Sequence, residues 1–354
     1  MPVLLSRRTF LGAVAAPLVS AQSNTPPAYP DKHDLLYYLD AAGVRQPVTD
    51  RKSWELRRTS ILDRMQQVMG PLPYQPLPPR FEVLDEAKES TYLRRKIRYI
   101  SEGEDWVPAW LLLPGNAKKA PAVLCLHQTT RIGKDEPAGL GGKPNLFYAR
   151  ELAERGFVTL APDYPNFGEY KFDPYANGYA SATMKGILNH MRAVDVLQSL
   201  RFVDPKAIGV CGHSLGGHNS LFVAAFDQRL RAVVTSCGFT AFPRYFKGDL
   251  TGWSHKGYMP RIADVYGKSP DRMPFDFPEI LGAIAPRAIF INAPTEDSNF
   301  EVSGVRDSVA AARPIFDRIH AKKQALVLQT PSAGHDFPPD IRVNAYRFLQ
   351  RHLR

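Results

Sequence analysis

The segment 206–217, KAIGVCGHSLGG, restricts the fold more than any other stretch of the chain. Residues 207–211 form a short apolar run of strand type, and 221–226 (LFVAAF) form an apolar run of helical type. Between them stand Gly212, His213, Ser214, Leu215 and Gly216. Strand, Gly-x-Ser-x-Gly and helix in succession read as a nucleophile elbow. The residue types follow from the chemistry. A serine hydroxyl projects above a sheet only from a sharp, strained turn, and glycines at 212 and 216 let strand and helix crowd against it. The Leu215 amide, at the start of the helix, is then placed to face a developing oxyanion.

Around this element strands and helices alternate. Strands are expected at 80–84, 92–100, 107–113, 120–126, 157–161, 207–211, 232–237, 288–292 and 325–329. Helices are expected at 145–155, 181–202, 215–225, 302–320 and 338–352. The alternation implies an α/β fold with a mostly parallel sheet covered on both faces, the first two strands forming an edge hairpin. Upstream, 22–79 reads as a polar linker, a helix over 52–69 and a proline-rich strap, with the main domain at 80–354. The interval 238–286 is far longer than an ordinary connection and rich in aromatic residues. It is expected to be a cap-like insertion over the C-terminal strand ends, with Trp253 and Tyr258 lining a substrate pocket. A satellite packing element is the competing reading.

A serine needs a base, and in the elbow architecture the chain order is Ser, acid, His. Of nine histidines, His335 lies in the loop between the last strand and the last helix, which makes it the expected general base. The orienting acid should follow the strand at 288–292, where Glu296 and Asp297 compete. Asp297 is preferred, because strand-loop spacing favours the later, shorter side chain. A second oxyanion amide should come from the loop after 120–126, from Thr129 or else Gln128. His127 is expected to brace that loop rather than bind metal. No metal or nucleotide fingerprint is visible, so no cofactor is expected.

The first residues, MPVLLSRRTFLGAVAAPLVSAQS, resemble a twin-arginine export signal cleaved after Ala21, so 1–21 is expected to be removed and the protein to act in the periplasm or outside the cell. The apolar stretch there is too short for a membrane anchor. Net charge is +10, but lysine and arginine are scattered, which argues against nucleic acid as a partner. Three cysteines, Cys125, Cys211 and Cys237, make no disulfide framework and read as buried core residues.

From about residue 80 onward the chain resembles an α/β-hydrolase, most similar to bacterial dienelactone-hydrolase-like and acetyl-xylan-esterase-like enzymes. The resemblance is carried by LCLHQTT at 124–130, PDYPNFGEY at 162–170, GHSLGG at 212–217, INAPTEDSNF at 291–300 and AGHDFP at 333–338. It implies an eight-stranded sheet and a Ser214, Asp297, His335 triad. Dienelactone hydrolases proper carry cysteine where this chain has Ser214. The expected activity is therefore that of an exported serine esterase, acting on a small-molecule or carbohydrate ester through an acyl-enzyme. The alternatives are a serine peptidase on the same scaffold, which usually brings a large additional β domain, and a non-catalytic binding protein.

Overall fold

A computed structural model describes residues 29–115 and 117–354. The export-signal segment 1–21 lies outside the described residues. The far end of the expected linker does not behave as one. Tyr29 is buried, and the Arg57 guanidinium sits 3.3 Å from its ring centroid.

Strands β1 (Tyr37–Leu39) and β2 (Arg45–Pro47) pair as a small antiparallel ribbon. Helix α1 (Arg51–Met69) follows. It starts where Asp50 accepts the Ser53 amide and Ser53 Oγ accepts the Asp50 amide, a reciprocal cap that satisfies two donors at once. The main sheet comprises β3 (Phe81–Lys88), β4 (Tyr92–Ile100), β5 (Trp106–Pro114), β6 (Ala120–Leu126), β7 (Val158–Pro162), β8 (Val203–His213), β9 (Leu230–Ser236), β10 (Ala288–Asn292) and β11 (Leu326–Gln329). Their spatial order is β11-β10-β9-β8-β6-β7-β5-β4-β3. From β7 to β11 every pairing is parallel, and β5, β4 and β3 continue the sheet antiparallel.

The sheet has nine strands, one more than the resemblance implied, because the edge hairpin adds β3. That strand runs past its expected end, through a stretch whose charges pair across to β4: Glu82 with Arg98 and Glu86 with Arg95. The parallel strands read as continuous apolar runs because both of their faces are covered; all seven residues of β6 are buried.

The covering helices are α2 (Tyr148–Glu154), α3 (Ala182–Ser199), α4 (Leu215–Phe226), the short α5 (Arg261–Asp264), α6 (Phe277–Ile284), α7 (Val302–Pro314) and α8 (Pro339–Leu353). Helix α4 packs on α3 and α6, and α6 on α7, while α2 and α8 are tied by the Arg342–Glu151 ion pair. The helix expected at 302–320 leaves α geometry after Pro314 for a π turn at Ile315–Ile319.

The interval 238–286 divides in two. Its last part is α6, the crossover that a parallel β9–β10 pair requires. Its start was legible and missed: Asp276 and Glu279 form a capping box ahead of an apolar run. The remainder, up to about residue 275, is short helical turns over the C-terminal ends of the strands. There Tyr258 O accepts the Thr183 amide and Gly257 O accepts the Tyr164 hydroxyl.

Candidate active site

Ser214 sits between β8 and α4 with φ 54° and ψ −116°, a backbone conformation rarely adopted by non-glycine residues. The strain is held from three sides. The Ser214 amide donates to Ser236 O at the end of β9. A Cβ on Gly216 would lie 1.8 Å from Leu126 O, and one on Gly212 would lie 2.2 Å from Gly216 O. No other residue type fits at those two positions without moving β6 or α4. Leu215, as first residue of α4, has an amide with no carbonyl partner inside the helix.

Beyond β10 the chain meets the loop beyond β11. Ala293, Thr295 and Glu296 donate their amides to Gln329 O, Pro331 O and Ala333 O. This extended pairing turns the adjacent carboxylates in opposite directions. Glu296 turns outward, is exposed, and accepts the Ser332 hydroxyl at 2.6 Å. Asp297 turns inward with a side chain 1% exposed, and both of its oxygens lie at 2.9–3.0 Å from His335 Nδ1. Burial pushes the Asp297 carboxyl up. Its bond to His335, that ring's charge, and the Asn299 and Phe300 amides more than offset this and leave it below the ordinary carboxylate value.

His335 Nδ1 is occupied by Asp297, which leaves Nε2 free for other work. The ring packs 4.9 Å from the His213 ring, beside the elbow. Its loop is anchored from below: Asn292 Nδ2 donates to Asp336 O and to Ser236 Oγ, and Ser236 Oγ also meets His213 Nδ1. Asp336 accepts Asn145 Nδ2 at 2.6 Å and so serves as a loop hydrogen-bonder.

In the loop after β6, His127 Nε2 accepts the Tyr164 amide at 3.0 Å, which assigns the proton to Nδ1 for donation to Gln128 O. Burial pushes this imidazole down and keeps it neutral. His127 therefore braces the loop. Gln128 is pinned by Glu136, whereas Thr129 is exposed and its hydroxyl meets the Tyr258 hydroxyl at 3.0 Å.

Trp253 is not where a pocket residue must be. Its ring is 2% exposed and walled in by His218, Phe242, Phe277 and Phe300. The aromatic content of the insertion is largely core. Tyr258, half-buried, is the aromatic that reaches the loop beside the elbow.

His213, Cys237 and His335 bring ligand-type atoms within 4.8 Å of one another. Each already has a protein partner: His213 Nδ1 meets Ser236, His335 Nδ1 meets Asp297, and the Cys237 thiol donates to Asp336 O, while both Nε2 atoms stay open. Burial first, then the Asp297 charge, push that thiol well up, which disfavours a thiolate ligand. The three side chains form the bed of the His335 loop. All three cysteines are free and buried.

A largely parallel sheet flanked by helices, with a strained Gly-x-Ser-x-Gly turn between the central parallel strand β8 and α4, defines an α/β-hydrolase. The chain belongs to the prolyl oligopeptidase family, whose profile matches residues 146–354, more than half of its length. A curated relative, "Putative hydrolase YtaP" of Bacillus subtilis (strain 168), is 26% identical over 276 residues, covering 71% of this chain and 85% of that protein. The next curated relatives are matched over 40% of their own length. Among solved structures, a glucuronoyl esterase from Solibacter usitatus superposes with TM-score 0.71 at 18% identity, covering 93% of this chain and 99% of that one. An acetyl xylan esterase from Paenibacillus sp. R4 superposes with TM-score 0.57 at 17% identity, covering 86% and 96%. At these identities the structural likeness speaks for the fold. No described helix is long and apolar enough to cross a membrane.

Proposed function

We propose that the protein is a serine hydrolase of carboxylic esters, with esters of carbohydrate as the leading substrate class. The observation that carries the reading is the pairing of a strained Ser214 with a His335 whose Nδ1 is held by a buried Asp297. Ser214 attacks the ester carbonyl as His335 Nε2 takes its proton, and Asp297 supports the imidazolium. The Leu215 and Thr129 amides hold the oxyanion, with Gln128 as the alternative donor in its loop. His335 then protonates the leaving alcohol and activates water to release the acid. Ser214 Oγ and His335 Nε2 are not hydrogen-bonded to each other in this structure, so substrate binding completes that contact. The named esterases among the structural neighbours support ester over amide.

The family's name favours a second reading, a peptidase cleaving after proline. One screen separates the two: fluorophosphonate labelling of Ser214, followed by turnover of p-nitrophenyl esters and acetylated xylan beside prolyl anilides. Ester turnover with inert anilides is the expected result, and faster anilide turnover overturns the ester reading. Export by the twin-arginine route is part of the same proposal and rests on Ser6, Arg7, Arg8 and the residues after them. Replacing both arginines by lysine should hold the precursor in the cytoplasm, and unchanged export would end that idea.

A further inference from the structure

At the opposite end of the parallel strands, where β9, β10 and β11 begin, lies a cavity of about 480 Å³. Its wall joins distant parts of the chain: Trp54, Glu55 and Arg58 from α1, Arg231 from β9, Arg287 from the turn before β10, and His320 and Lys322 from the turn after α7. The volume suits a small organic molecule. The charge is one-sided. Four cationic side chains line the space and Glu55 is the one carboxylate among the lining residues. Glu55 is already paired with Arg58 at 2.9 Å. Arg231, Arg287 and Lys322 have no ion pair among the described residues.

Arg287 is the deepest of the three, 9% exposed. Its Nε donates to Ile284 O, and Nη1 to Asp227 O and Leu230 O, so carbonyls fix the guanidinium while Nη2 makes no protein hydrogen bond. Burial pushes it down to about 9; the charges of Arg58 and Arg231 act in the same direction, and that of Asp227 acts against them. Nothing in the catalytic reading uses these groups. A cluster of four cations of which only Arg58 has an ion pair raises the cost of the empty site. An anion entering it removes that repulsion and gains charge-assisted hydrogen bonds.

We propose that this cavity is a binding site for a small oxyanion-bearing molecule, with Arg287 as the fixed donor at its base and Arg231 and Lys322 as exposed clamps at its mouth. Strand β9 runs from this cavity to the carbonyl that holds Ser214, roughly 20 Å at about 3.3 Å per residue, so the two sites are separate. Trp54 and the stem of Arg58 supply the apolar wall against which the body of an organic anion packs.

The test is calorimetric titration of the whole protein with inorganic phosphate, citrate and glucuronate in turn, with sodium chloride at matched ionic strength as control. Saturable binding of at least one oxyanion is expected, and the ranking of phosphate against the two carboxylates identifies the head group. Arg231→Gln with Lys322→Gln should weaken binding at least about tenfold. Both positions are exposed, so folding, checked by circular dichroism, should survive. Lys322→Glu alone serves as the second variant, with binding weaker again. Turnover of p-nitrophenyl acetate should stay within about twofold of wild type in every variant, since none touches the elbow. Binding no stronger than the chloride control, or binding undiminished in these variants, overturns the proposal.

Discussion

At the C-terminal end of β9, Ser236 O accepts the Ser214 amide, and its hydroxyl joins His213 and Asn292 in a closed network. At the N-terminal end of the same strand, Arg231 shares a cavity wall with Arg287 and Lys322, and none of the three makes an ion pair among the described residues. One end keeps its titratable groups matched. Burial, then the neighbouring His335, hold His213 well down and therefore neutral, and Asp297 has a histidine and two amides on it. The other end leaves cations unmatched. The difference teaches what each end can do. A matched network fixes geometry, which acyl transfer needs. An unmatched one stores attraction for a charge not yet present.

The comparison breaks most sharply at Ser214. Ser214→Ala should lower kcat for a p-nitrophenyl ester by at least about 10⁴ and abolish fluorophosphonate labelling. Anion binding at the far cavity should be untouched. Residual turnover near wild type would remove the elbow from the mechanism.

Next comes the acid. Asp297→Asn leaves His335 without its orienting charge and should cost at least about a hundredfold in kcat, whereas Glu296→Gln should cost less than about fivefold. The reverse ranking would move the orienting role to the outward carboxylate and contradict the geometry. Both variants are nearly isosteric, so thermal unfolding should barely separate them from wild type.

A smaller effect distinguishes packing from contact within the insertion. Trp253→Ala should destabilise by about 3–5 kcal/mol, read by denaturant unfolding, and lower all ester rates together. Tyr258→Phe removes only the hydroxyl that meets Thr129, worth about 0.5–1.5 kcal/mol. It should change the ratio of rates between esters more than it changes stability. Equal behaviour of the two variants would return Tyr258 to the packing role.

An effect on stability alone is expected at Asp276, at the start of the helix that runs from the insertion toward the cation cavity. Burial pushes its carboxyl up to about 7, against the pull of the Phe242 and Phe277 amides. Between the unfolded value near 4 and about 7, the native state therefore holds a proton that the unfolded chain has released. Its contribution to stability is full below that window and falls as pH climbs through it. Wild type should lose about 2–3 kcal/mol more than Asp276→Asn between pH 5 and pH 8, by urea unfolding at the two values. Parallel losses would mean that Asp276 is ionised throughout.

Much of the sheet was legible because its signals are short-range. A short apolar run marks most of the parallel strands, such as the five residues of β7 and the seven of β6, whatever else the chain does. The two-stranded ribbon at Tyr37–Leu39 and Arg45–Pro47 carries no such run and was invisible. Helix α6 had a readable capping box, but the aromatic content around it drew attention to a pocket instead. Trp253 shows why that inference failed: an aromatic cluster has the same composition whether it lines a cleft or fills a core, and only burial separates the two.

By itself the sequence determined the elbow at 212–216, the chain order of the serine, acid and histidine proposed as the triad, and the loops that carry Asp297 and His335. Each depends on neighbours a few residues away, where backbone geometry translates spacing directly into shape. That Asp297 faces His335 while Glu296 faces outward came from the tertiary structure. Residues of like charge at adjacent positions differ only in direction, and that direction comes from the backbone pairing of 293–296 with 329–333. The cation cavity also exists only in three dimensions. Arg58, Arg231, Arg287 and Lys322 are scattered over most of the chain, and no local pattern records that the fold gathers them around one cavity with Glu55, the partner of Arg58, as its one lining carboxylate.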